Sequence, residues 1–172
     1  VADIHANGVV HRDLKPSNVF LAAEGGARIV KILDFGVSKE SVRTSSTSAL
    51  TSTENVVGTP QYMSPEQIKT SKDVDERTDI WALGIILYEL FTARVPFRGE
   101  TPMATLLRHI QEPLRLDTAE ASLVPEAVRP VLAKALAKSP DERFASSSEL
   151  AEALAQVQRA FGPQTSAAAS GE

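Results

Sequence analysis

The stretch 9–20, "VVHRDLKPSNVF", decides how the rest of the chain is read. His11, Arg12, Asp13, Lys15 and Asn18 crowd into eight positions, with apolar residues on both sides. A helix face spaces its charges three and four apart, and a solvated loop needs no such assortment. Val9-Val10 and Val19-Phe20-Leu21 read as short buried strands that anchor a loop between them. Loops fixed by a scaffold are where catalytic groups are commonly placed.

Working outward, Val1 to Gly8 reads as a helix closed by Gly8. It starts without Met and already inside a helix, so the expectation is that the true start lies upstream. Beyond the loop, Val19–Ala22 and Arg28–Leu33 read as two strands of a hairpin joined by Glu24-Gly25-Gly26, with Gly36 ending the second. Residues 41–53, "SVRTSSTSALTST", hold nine Ser or Thr in thirteen positions and have the composition of a flexible loop.

From residue 64 onward the pattern is helical. "SPEQIK" carries Ser64 at the N-cap and Pro65 at the first position. "DIWALGIILYELF", Asp79 to Phe91, is apolar nearly all round and predicts a helix buried on every side. Further helices are expected over 101–111, over 125–138 with Pro130 kinking or shortening it, and over 146–161. The tail 162–172 reads as a disordered tail or linker.

The totals narrow the function classes. The 172 residues are 42% hydrophobic and 23% charged, with net charge −4, which gives no electrostatic footprint for nucleic acid or an anionic membrane. There is no cysteine, hence no disulfide or thiolate chemistry. His5, His11 and His109 show no metal-ligand spacing. No apolar run is long enough to cross a bilayer.

Taken singly, Asp13 beside Arg12 reads as a structural ion pair and Asp34 as a turn residue. Together the motifs are specific. The seven fixed positions of H-R-D-L-K-P-x-N arise by chance at on the order of 10⁻⁹ per start site. Asp34-Phe35-Gly36 follows with Asp34 21 residues after Asp13, and Ser64-Pro65-Glu66 comes later. These residues resemble the catalytic loop, D-F-G and A-P-E motifs of protein kinases, with Ser at the first place of the last. "DIWALG" (79–84) and "SPDERF" (139–144) extend the resemblance, which covers residues 1–161 and is most like the bacterial Ser/Thr kinases of eukaryotic type.

The resemblance implies a mainly α fold with a short β-hairpin, the C-terminal lobe of a kinase, over residues 1–161. It implies ATP and Mg²⁺ as cofactors and protein substrates with Ser or Thr acceptors. Asp13 would orient the substrate hydroxyl, Lys15 would steady the γ-phosphate, and Asn18 and Asp34 would supply oxygen ligands to Mg²⁺. Phe20 would pack beneath the adenine, and His11 under Phe35, beside Gly36. Thr59 would bond Asp13 and Lys15. Arg12 would pair with a phosphate on the segment 41–53. Glu66 and Arg143 would form a buried ion pair, while Asp79 would cap its helix and hold the His11–Arg12 backbone.

One departure matters. No G-x-G-x-x-G loop or V-A-I-K-like strand occurs in the 172 residues, so a β-rich N-lobe is expected from upstream in the same polypeptide, and this chain alone is expected to be inactive. The alternative is a truncated or pseudokinase-like module that acts by protein binding only. The expected setting is cytoplasmic, as such or as the cytoplasmic part of a membrane-tethered protein.

Overall fold

The computed structural model describes residues 1–33, 60–70 and 74–161. The expectations for Asp34, Phe35, Gly36, Thr59, the run 41–53 and the tail lie outside the described residues.

α1 (Ala2–Ala6) is a single short helix. It ends in a Schellman motif: Gly8 N–H donates to the His5 carbonyl at 2.8 Å and Val9 N–H to that of Ile4 at 3.2 Å. The motif needs a left-handed residue, and Gly8 has φ +71. The chain then runs through the 9–18 loop into β1 (Val19–Glu24) and β2 (Ala27–Ile32). The strands pair antiparallel from Val19↔Ile32 to Glu24↔Ala27. Gly25 and Gly26 have φ +58 and +83, the two left-handed residues of a type I′ turn, whose twist matches that of the strands.

Two expectations fail around this hairpin. Val9 and Val10 form no strand, and the bracketing apolar residues are not buried: Phe20 is 52% exposed and Leu21 62%. A two-stranded ribbon has two faces, and no third strand joins it among the described residues. Burial at the loop itself takes over the anchoring role, since His11, Leu14 and Asn18 are buried.

The helical part is built around α3 (Arg77–Thr92). α2 (Pro65–Lys69) precedes it, and α4 (Pro102–Gln111), α5 (Arg129–Ala135) and α6 (Ser147–Phe161) follow. Trp81, Ile85 and Tyr88, spaced four and three apart, point into one core with Phe97, Val124, Val128 and Leu132. Ile80 enters a second core with Val131, Ala135, Phe144 and Leu150. At Gly84 a Cβ would sit 2.9 Å from Leu136 Cδ2 and 3.1 Å from Ala135 Cβ, so α3 and the end of α5 approach closely there. Pro130 lies in the first turn of α5, where its missing N–H costs no helical bond, so the helix begins there instead of kinking.

α3 is not buried on every side. Its C-terminal end leaves Leu90 77% exposed. Ile86, Leu87 and Leu90 line an apolar cavity of about 400 Å³ with Val1, Ala2, Leu150 and Leu154. The sequence pattern marks α3 as apolar but does not say how many neighbours cover it.

A long-range ion pair joins α2 to the turn before α6. Arg143 Nη1 and Nη2 meet the two carboxylate oxygens of Glu66 at 2.7 and 2.8 Å, 77 residues away. Arg143 also donates Nε–H to the Ala137 carbonyl at 2.8 Å, Nη1–H to that of Arg77 at 2.9 Å and Nη2–H to that of Lys138 at 3.2 Å. All five guanidinium N–H groups are thereby used in a site where the side chain has no exposure. Removing one partner leaves a buried charge alone. Arg143→Met is expected to cost about 3–5 kcal/mol, read from urea denaturation, with Glu66→Gln costing less because the amide still accepts one bond.

His109 on α4 is fully buried against Trp81 and Phe97, with ring centroids 5.6 and 5.5 Å away. Its Nδ1–H donates to the Met63 carbonyl at 2.6 Å. Burial, reinforced by the nearby Lys138 ammonium, pushes its pKa down to about 4 despite that bond. The unfolded chain therefore binds the extra proton first, below about pH 6.5. The stabilising contribution is complete above that pH and is lost as the pH falls toward 4, by on the order of 3 kcal/mol. His109→Asn keeps a donor for Met63, and its denaturation midpoint should fall less steeply over that window than that of the wild type.

Candidate active site

The loop between α1 and β1 is held from three directions. Asp79, at the third position of α3, is 1% exposed. Its Oδ2 accepts the His11 backbone N–H at 2.8 Å and its Oδ1 accepts that of Arg12 at 2.8 Å. Oδ2 also accepts His5 Nε2–H at 2.8 Å, which brings in α1. The helix-capping role expected of Asp79 is not observed: the N-cap of α3 is Glu76, and the Asp79 carboxylate is spent on the loop. Asp75 instead meets the first N–H of the helix, that of Arg77, at 2.9 Å.

His11 is fully buried and joins the loop to the end of β2. Its Nε2–H donates to the Leu33 carbonyl at 3.2 Å, so the neutral ring presents Nδ1 as the acceptor for Asp13 N–H at 3.3 Å. The Leu33 N–H in turn donates to the Asn18 carbonyl at 2.9 Å. The residue immediately before Asp34 is thus tied to both ends of the loop.

Within the loop the structure brings Asp13, Lys15 and Asn18 together. Lys15 Nζ lies 3.0 Å from Asp13 Oδ2, with both side chains just over a fifth exposed. Asn18 Nδ2–H donates to the Asp13 carbonyl at 2.9 Å. Lys15 is extended at φ −161, ψ 161, and a 3₁₀ turn over Pro16–Asn18 follows it, which folds Asn18 back onto Asp13. With its nitrogen committed to the loop, the Asn18 amide keeps Oδ1 as an acceptor. A neutral, hard oxygen beside a partly exposed carboxylate and a lysine suits a hard divalent cation with phosphate ligands, and it does not suit a soft metal. No cluster of three or more His, Cys, Asp or Glu able to hold a metal occurs among the described residues. Phe20 stands one residue into the strand after this turn, exposed.

Glu66 and Arg143 meet as given above, away from Asp13 but connected to it through α2. Gln67, the residue after Glu66, donates Nε2–H to the Arg12 carbonyl at 2.9 Å. Sequence reading misses both Gln67 and His5. Gln67 carries a readable signal, since Ser64-x-x-Gln67 is a capping-box pattern. His5 carries none, because its partner is 74 residues away.

The chain can now be set beside known proteins. The family model described as "Protein kinase domain" matches residues 1–156. A probable serine/threonine-protein kinase PknB from Corynebacterium glutamicum is 42% identical over 159 residues, covering 90% of this chain and 24% of that protein. Serine/threonine-protein kinase Pkn1 of Myxococcus xanthus is 42% identical over 151 residues, covering 87% of this chain and 21% of its own length. Serine/threonine-protein kinase PknB of Mycobacterium tuberculosis is 35% identical over 160 residues, covering 93% of this chain and 25% of that protein. The chain spans about a quarter of the length of the curated relatives it matches. With a buried loop carrying H-R-D-L-K-P-x-N and a family match over nearly its whole length, the chain belongs to the protein kinase domain family.

Proposed function

We propose that this chain works as the C-lobe, residues 1–161, of a Ser/Thr protein kinase that transfers the γ-phosphate of ATP to protein Ser or Thr. The observation that carries the reading is the joining of Asp13, Lys15 and Asn18 on one short, anchored loop. The relatives named as serine/threonine-protein kinases support it.

Phosphoryl transfer asks a protein mainly for positioning and for charge neutralisation. Asp13 accepts the hydrogen bond of the incoming hydroxyl and sets its oxygen on line with the phosphorus. Lys15 is 3.0 Å from Asp13 and exchanges part of that contact for a γ-phosphate oxygen when substrate arrives. Asn18, together with Asp34, would hold Mg²⁺, which would neutralise the phosphates. Phe20, exposed on β1, offers its ring to the adenine. By the family resemblance Thr59 would bond Asp13 and Lys15, and Phe35 and Gly36 would place Asp34; these four lie outside the described residues. The adenine clamp and the Gly-rich loop belong to an N-lobe in the same polypeptide. ATP as donor sets this work in the cytoplasm. No helix of the described residues is long and apolar enough to cross a membrane.

Arg12 gives the site its control. Phosphate on a Ser or Thr within 41–53 carries a charge of about −1.5 to −2 and pairs with the Arg12 guanidinium, ordering the segment against the loop. Mass spectrometry of the active protein should find phosphate in that run. An active protein with none there would remove this part of the reading.

The decisive test is transfer of phosphate to a generic Ser/Thr substrate by the complete polypeptide containing these residues, with ATP and Mg²⁺. Asp13→Asn keeps the size and the Lys15 contact but loses the charge, and is expected to lower kcat about 10²–10⁴-fold. A variant rate equal to the wild-type rate would refute the role of Asp13. Absence of transfer by the wild type under activating conditions would favour a module that acts by binding alone.

A further inference from the structure

Arg12 adopts φ +65, one of only two positive-φ residues other than glycine among the described residues. A long side chain in the left-handed region is held there only when its surroundings over-determine the backbone. Both polar groups of Arg12 are indeed gripped. Its N–H is bonded to Asp79 Oδ1 at 2.8 Å, and its carbonyl accepts from Gln67 Nε2 at 2.9 Å.

Gln67 has two jobs. Its Oε1 accepts the Ser64 N–H at 3.0 Å while its own N–H donates to Ser64 Oγ at 3.3 Å, which completes the capping box of α2. That job needs only an acceptor, and glutamate performs it equally well. The other end of the amide reaches across 55 residues to Arg12. The amide cannot be turned round, because one end faces an N–H and the other a carbonyl. Nor is α2 loose: Ser64 is fully buried and its Oγ lies 2.6 Å from Thr78 Oγ1 at the start of α3.

We propose that Gln67 is a positioning residue of the catalytic loop. It locks the strained Arg12 peptide and so fixes the direction in which the next residue, Asp13, leaves the backbone. α2, which also carries Glu66, thereby becomes an element that sets the direction of Asp13. The proposal rests on the phosphoryl-transfer reading of Asp13. A second reporter, independent of turnover, tests the grip itself.

Gln67→Glu separates the two jobs, since it keeps the acceptor for Ser64 and loses the donor for Arg12. Gln67→Met loses both. In the complete polypeptide, kcat should fall about tenfold or more in both variants, with KM for ATP within about twofold of wild type. The thermal midpoint should drop further in Gln67→Met than in Gln67→Glu. Amide hydrogen exchange at Arg12 and Asp13 should accelerate about tenfold or more in both variants. Wild-type kcat in Gln67→Glu, in a protein that Asp13→Asn inactivates, overturns the inference and leaves the kinase reading standing. If Asp13→Asn is itself fully active, the kinase reading fails, and unchanged exchange at Arg12 and Asp13 in both variants overturns the grip as well.

Discussion

The arrangement depends on one buried carboxylate. Asp79 takes its charge into the interior of the fold, where an unpaired ion would be costly, and three donors compensate it: two backbone N–H groups of the loop and the His5 ring. Those donors come from α1 and from the loop, so the compensation is also an alignment. With Asp79 fixed by the core around Ile80 and Trp81, the loop backbone is fixed relative to α3. The left-handed Arg12 peptide is stable only inside this frame.

A second frame, built by Glu66 and Arg143, sets α2 against the turn before α6. The two frames meet at Gln67, which sits beside Glu66 and reaches Arg12. The fold therefore holds the Arg12 peptide next to Asp13 from two sides, α1 with α3 on one and α2 on the other. This is the physical content of a loop that looks irregular in sequence: its residues are few, and the His11 and Arg12 N–H groups and the Arg12 carbonyl are committed to distant partners.

Much of this was legible in the primary structure, and the misses have physical reasons. The loop motif, the hairpin turn at Gly25-Gly26, the Ser64 cap and the Pro65 start are local features in which adjacent residues determine the outcome. The Glu66–Arg143 contact was expected through the family resemblance and is formed. The expected burial of the flanking strands failed, because apolar character states a tendency to be covered and not the presence of a cover. The same reason explains the exposed end of α3 at Leu90. Asp79 was expected to do two things and does one: it stands at the third position of α3, with both oxygens bonded to the loop and α1.

By itself, the order of residues determined which chemistry is possible here: an acid, a cation and an amide at fixed spacing, with no thiol and a net charge of −4. It determined the starts of α2 and α4 and the hairpin turn too, since caps and left-handed glycines act within a few residues. Tertiary structure alone decided that His5, Gln67 and Asp79 converge on the Arg12 peptide across separations of 74, 55 and 67 residues. A hydrogen bond depends on the final position of both groups, and no periodicity in the chain encodes it.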